Sequence, residues 1–172
     1  MTNPAEEVLD VVDAQDHVIG TATRAEVYRE GLTHRCVFIL VRDPQGRIFT
    51  HRRTGTKLFA PGAYDCFVGG VVGSGETYAS AAVREAEEEL GVSGIRPLPL
   101  FKFLFQAEPR LSWWCDMYEA RWDGPVSPQA EEVAWHGWLT EDELAQRLAD
   151  DGWDFVPDGR EAYHRYLEYR SA

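Results

Sequence analysis

Glu85, Glu88 and Glu89 stand at i, i+3 and i+4, a spacing that puts three carboxylates on one face of a helix. Like charges so placed destabilise a bare helix by roughly 0.2–0.5 kcal/mol per pair, and something must offset that cost. A hard divalent cation such as Mg²⁺ does so, because it takes oxygen ligands and keeps bound water. Glu-rich helices are also common as plain solvated faces, and three glutamates alone do not decide between the two. The glycines ahead of them favour the cation. Gly69, Gly70, Gly73 and Gly75 let backbone and ligand come close at the entry to the acidic face. Arg84 neighbours the cluster and can orient one carboxylate, whereas Glu87 points off the face and is expected to be solvated.

Other reactive side chains form no such pattern. Cys36, Cys66 and Cys115 are isolated and odd in number, with no Cys-x-x-Cys pair, so neither a disulfide framework nor a structural zinc site is indicated. His17, His51, His136 and His164 show no ligand spacing. All six tryptophans lie in the C-terminal half; most should fill core, with Trp113 or Trp114 a candidate pocket wall. The chain carries 17 basic and 29 acidic residues, a net charge of −12, which argues against a nucleic-acid polymer or an anionic membrane as partner. It shows neither an apolar run long enough for a membrane span nor a signal pattern at its start, and the expected location is cytoplasmic.

The elements that must position these residues can be read from pattern. A length of 172 residues favours one domain over 1–172, with Met1 to Glu7 a frayed tail. Val8 to Asp13 and His17 to Ile19 read as short strands, and Arg24 to Arg29 as a short helix ending near Gly31. Arg35 to Arg42 is a buried strand; a turn at Asp43-Pro44-Gln45-Gly46 returns it as Arg47 to His51, a hairpin. Arg52 to Gly62 reads as loop, and Tyr64 to Gly73 as short strands broken by Gly69 and Gly70. Glu76 to Leu90 is helical, stopped by Gly91. Strands follow at Ile95 to Gln106, Ser112 to Trp122 and Val133 to Leu139. Thr140 and Glu143 form a capping box for one helix, and a last helix covers Asp158 to Tyr169. The sum is an α/β protein, a mixed sheet with helices packed on it.

The stretch Gly70 to Val92, GVVGSGETYASAAVREAEEELGV, resembles the 23-residue signature of the Nudix hydrolases, G-x5-E-x7-R-E-U-x-E-E-x-G-U, where U is a bulky aliphatic. Gly70, Glu76, Arg84, Glu85, Glu88, Glu89, Gly91 and Val92 fill the fixed positions; Ala86 departs at the first U but is still apolar. The resemblance implies a Nudix-type α/β/α sandwich and cleavage of a nucleoside diphosphate linked to another moiety. It implies that Glu85, Glu88 and Glu89, with the Gly70 carbonyl, bind Mg²⁺ or Mn²⁺, and that Arg84 and Glu76 brace loop and helix. Glu88 or Glu89 would accept or position the proton. In the family a later glutamate often completes the site; Glu131 and Glu132 are the candidates, the alternative being a solvated loop end.

The stretch His51 to Gly70 is similar to the branch that contains isopentenyl-diphosphate isomerase and its hydrolase-like relatives. There Arg52, Arg53, Lys57, Pro61 and Gly62 match, and the match implies that Arg53 and Lys57 contact a diphosphate. Arg offers a bidentate fork and Lys a point charge, which suits phosphate; ordinary surface cations are the alternative. The isomerase's catalytic cysteine falls at Gly69, its acid near Trp113, and of its metal histidines only His34 matches, the others falling at Val27 and Val71. Hydrolysis of a small diphosphate is therefore expected, with Cys66 a buried apolar residue; an isomerase and a non-catalytic nucleotide-binding module are the alternatives. The sequence leaves open the leaving moiety, the general base, the phosphorus attacked, and whether the protein is a monomer or a homodimer.

Overall fold

The computed structural model describes residues 3–172. Nine strands and four α-helices follow one another as β1 (Val8–Val12), β2 (Val18–Thr23), α1 (Arg24–Glu30), β3 (His34–Arg42), β4 (Ile48–Arg53), β5 (Tyr64–Asp65), β6 (Val68–Val71), α2 (Tyr78–Leu90), β7 (Leu98–Ala107), β8 (Leu111–Arg121), β9 (Val133–Leu139), α3 (Glu141–Leu148) and α4 (Pro157–Ser171). No helix among the described residues is long and apolar enough to cross a membrane.

Strand β3 explains the layering. Its residues are apolar on both sides, so both faces must be covered. Cys36, Phe38 and Leu40 face a core shared with Val27 of α1, Leu144 of α3 and Ala162, Tyr163 and Tyr166 of α4. Val37, Ile39 and Val41 face Ala81, Ala82, Ala86 and Leu90 of α2. This is the expected α/β/α sandwich, and Ala86 takes the core position in spite of its small size. The sheet is mixed: β3 runs parallel to β8, from His34 opposite Trp113 to Arg42 opposite Arg121, and antiparallel to β6. Strand β7 pairs antiparallel with β8.

Several elements differ from the sequence expectation. The turn at 43–46 forms, with Asp43 Oδ1 accepting the N–H groups of Gln45 and Arg47 at 3.0 and 2.8 Å. The expected hairpin does not extend beyond it: β3 and β4 pair only at Arg42 and Ile48, and β4 pairs instead with β9 and β5. Arg52 and Arg53 therefore lie in β4, not in a loop. Gly69 and Gly70 do not break a strand; they sit inside β6, opposite Phe38 and Val37, and the break falls at Cys66 and Phe67. A Cβ on Gly69 would fall 1.9 Å from the Val37 carbonyl oxygen, so only glycine permits this pairing. Strand β2 runs to Thr23, held by its ladder to β1 although most of it is exposed. Of the expected tail, residues 1–2 lie outside the described residues. Pro4–Glu6 form a short 3-10 helix whose start is capped by Asn3, and Glu7 O accepts from Arg24 N–H at 2.8 Å.

Candidate active site

Helix α2 starts where Thr77 Oγ1 accepts the Ser80 N–H and stops at Gly91, whose φ of +64° suits glycine. Glu76 thus lies just before the helix, not in its first turn. Three alanines on the inner face let α2 sit close to the sheet. That brings Glu85 against β6 so tightly that a Cβ on Gly70 would fall 2.8 Å from the Glu85 carboxyl carbon. The glycine at position 70 is therefore a seat for the carboxylate.

Arg84 ties this corner together. Its Nε and Nη2 donate to the two oxygens of Glu76 at 2.8 and 2.9 Å, and Nη1 donates to Glu85 at 2.8 Å. Glu88 is a looser partner of the same Nη1 at 3.5 Å and is half exposed. Glu76 also accepts the Gly73 N–H at 3.1 Å, fixing the loop between β6 and α2. Glu87, expected to be merely solvated, accepts the Gly94 N–H at 2.8 Å and so secures the turn after the helix.

Glu89 is different. It is buried, and its Oε2 has no hydrogen-bond partner. Burial first, then the neighbouring Glu85, push its carboxyl up from the ordinary range; burial likewise pushes Glu85 up, against the pull of Arg84. His51 Nε2 lies 3.8 Å from Glu89 Oε2, a proximity its sequence position did not reveal. Burial, then the charges of Arg53 and Lys57, pull the imidazole down to about 3, so it stands neutral.

Cations face these carboxylates across a cavity of about 370 Å³. Arg53, Lys57 and Arg24 line it together with Glu85, Glu88 and Glu89, and Gly70 forms part of its floor. Arg53 Nε and Nη2 donate to the Phe59 carbonyl at 3.2 and 3.1 Å, which holds the loop after β4. Lys57 is half-buried and pairs with Glu132. Arg24, which sequence reasoning missed, is the first residue of α1; its Nε is buried without a partner. Only the separation of 29 residues between Arg24 and Arg53 hid it. Glu132 lines the cavity, whereas Glu131 is exposed and only its backbone carbonyl is engaged, by Thr54 Oγ1 at 2.9 Å. Trp113 is buried behind the cavity; Trp114 turns the other way and donates to the Asp13 carbonyl at 3.3 Å.

As they stand, no three acidic, histidine or cysteine side chains among the described residues converge on a single point. Glu85 and Glu88 are instead drawn to Arg84. The donor set nonetheless fits a hard divalent cation: it is all carboxylate and carbonyl oxygen, one oxygen of Glu89 is orphaned in a buried position, and burial disfavours the bare charges.

A NUDIX domain matches residues 32–159. An uncharacterized Nudix hydrolase of Streptomyces coelicolor is 57% identical over 173 aligned residues, covering 100% of this chain and 94% of its own. The Nudix hydrolase YfcD of Escherichia coli is 36% identical over 94% of this chain and 87% of its own. The crystal structure of DR0079 from Deinococcus radiodurans is similar at a TM-score of 0.79 and 34% identity, covering 92% of this chain and 98% of that one. The chain belongs to the Nudix hydrolase family, whose members hydrolyse diphosphate bonds.

Proposed function

We propose that this protein is a divalent-metal-dependent hydrolase acting on a nucleoside diphosphate linked to another moiety, or on a related small organic diphosphate. The observation that carries the reading is the buried, unpartnered Glu89 oxygen beside Glu85, facing Arg24, Arg53 and Lys57 across one cavity. Glu85, Glu88, Glu89 and the Gly70 carbonyl would hold Mg²⁺ or Mn²⁺, which when bound neutralises charge on the phosphoryl oxygens and acidifies a water. Arg53 and Lys57 bind the diphosphate, and the free Nε–H of Arg24 adds a donor between them and α1. Arg84 and Glu76 keep Glu85 on its glycine seat. Glu88, half exposed and loosely held, or Glu89 takes the proton of the attacking water; Glu132 sets the position of Lys57.

The isomerase alternative is disfavoured. The position matched to its cysteine is Gly69, packed against the Val37 carbonyl, and the position matched to its acid is the buried Trp113. Burial pushes the Cys66 thiol well up, so no thiolate is at hand. A screen of nucleoside diphosphate derivatives, dinucleoside polyphosphates and prenyl diphosphates with Mg²⁺ or Mn²⁺ tests the proposal. Release of phosphate or a monophosphate is expected. Formation of dimethylallyl diphosphate from isopentenyl diphosphate, or calorimetric nucleotide binding with no turnover in either metal, would overturn it.

A further inference from the structure

Behind the diphosphate cavity lies a second chamber of about 50 Å³, entered past Arg24, Arg53 and Gly70, which line both. The rings of Tyr28, Phe59, Phe67 and Trp113 make part of its wall, and Asp65 and Asp158 line it as well. The fold brings those carboxyls together from distant positions. Tyr64 N–H donates to the Asp154 carbonyl at 2.7 Å, and Val156 N–H to the Tyr64 carbonyl at 2.9 Å, so β5 is laced to the segment that enters α4. Gly159 lets the first turn of α4 close in, because a Cβ there would fall 2.7 Å from Asp65 Oδ1.

Each carboxyl spends one oxygen on backbone. Asp65 Oδ1 accepts the Phe67 N–H at 3.0 Å, and Asp158 Oδ1 accepts the Gly159 N–H at 2.9 Å. The second oxygen of each makes no hydrogen bond among the described residues. The Trp113 indole N–H, on a side chain only 2% exposed that lines the same chamber, meets no acceptor in hydrogen-bond geometry among the described residues. Buried polar groups are normally satisfied, and hydrolysis as proposed above uses none of these three.

We propose that this chamber is a specificity pocket for a hydroxyl-bearing carbon edge of the substrate's non-phosphate moiety, read by Asp65, Asp158 and the Trp113 N–H. The inference rests on the diphosphate reading of the adjoining cavity. A hydroxyl both donates and accepts, which matches free carboxyl oxygens and an indole N–H, while the rings cover the carbon frame. The charge of Arg53 already acts on both carboxyls, so the pocket calls for a neutral group, not a cation. Its volume admits a handful of atoms, enough for the edge of a sugar or a hydroxyalkyl chain. A prenyl chain would leave all three polar groups dry and unpaired.

The test compares kcat/KM in Mg²⁺ or Mn²⁺ for two matched pairs: a ribonucleoside diphosphate against its dideoxy counterpart, and hydroxybutyl diphosphate against butyl diphosphate. The wild type should prefer the hydroxylated member of at least one pair by about tenfold or more, since a site built to bind a hydroxyl rejects the analogue without it. Preference in the first pair alone points to a nucleoside sugar; preference in the second shows that the hydroxyl suffices. Asp65→Asn, Asp158→Asn and Trp113→Phe should each reduce that preference at least several-fold, and circular dichroism identifies which variants are folded. Turnover without preference in either pair, or a preference untouched in the folded variants, overturns the pocket and leaves the hydrolase standing. Turnover of compounds in the screen above but of none of these four overturns the pocket, and no turnover of any compound in either set overturns the hydrolase reading itself.

Discussion

At the scale of single residues, the site is a contest between carboxylates and the cations set against them. Gly70 decides where Glu85 can sit. Gly70→Ala would drive a methyl group into the Glu85 carboxylate, and steady-state kinetics should show activity down by about 10²-fold, the cost typical of a misplacement near 1 Å, with the far-UV circular dichroism unchanged. Glu85 and Glu89 predict different responses to neutralisation in chelator. Glu89→Gln replaces a buried carboxyl whose charged form burial penalises and whose Oε2 has no partner, so its metal-free melting temperature should rise. Glu85→Gln keeps an acceptor for Arg84 but gives up the charge of that pair at 2.8 Å, so no such rise is expected. Saturating Mn²⁺ should raise the melting temperature of the wild type, by roughly 2.7 kcal/mol in stability at a hundred times its dissociation constant, and Glu89→Gln should blunt that response. Equal responses in both proteins would place the ion elsewhere on this acidic chain.

At the scale of elements, α1 illustrates how a cap reaches into the site. Thr23 Oγ1 accepts the Glu26 N–H at 3.3 Å and Glu26 Oε2 accepts the Thr23 N–H at 2.8 Å, a capping box that fixes the helix start and with it Arg24. Thr23→Ala should cost about 1 kcal/mol in urea unfolding. The same variant should raise KM with little change in kcat, because a contact to the diphosphate is present before and during reaction alike. An unchanged KM would show that Arg24 does not bind substrate.

For the molecule as a whole, buried titratable groups set the pH range of stability. His34 is buried beside Tyr28 and Trp113, and burial pulls it down to about 4. The unfolded chain takes a proton below about 6.5 that the native state refuses, so stability is lost as pH falls from about 6.5 towards 4, by roughly 3 kcal/mol in all. Asp65 acts in the opposite sense. Burial, then Asp158, push its carboxyl up to about 8, so the native state keeps a proton that the unfolded chain releases, and stability is lost as pH rises from about 4 to 8. Asp65→Asn keeps the acceptor for the Phe67 N–H and removes that loss. Its urea midpoint should gain on the wild type steadily across that window and level off above about pH 8. A constant difference at all pH values would mean that Asp65 is ionised in the native protein.

The carboxylate half of the candidate site was legible in the sequence because it is local. The helix period puts Glu85, Glu88 and Glu89 on one face, and a glycine-rich entry precedes them, all within 23 consecutive residues. The α/β class and the buried strand at Arg35 to Arg42 were legible for the same reason, since apolar runs and helix periodicity are properties of short windows. The other half was legible only in part. The resemblance pointed to Arg53 and Lys57, whereas nothing local marked Arg24 of α1 or His51 of β4; Arg53 and His51 reach the glutamates on a strand that leaves β3 after one pair and joins β9 and β5. Asp65 and Asp158 lie 93 positions apart and touch one chamber through the lacing of β5 to the entry of α4. Strand partner choice and the close approach allowed by Gly69, Gly70 and Gly159 depend on contacts between distant segments. The sequence by itself determined which residues carry charge and which face each takes within its own element. Only the tertiary structure decided which of those faces meet, because the burial that selects strand partners is a property of the whole packed sheet.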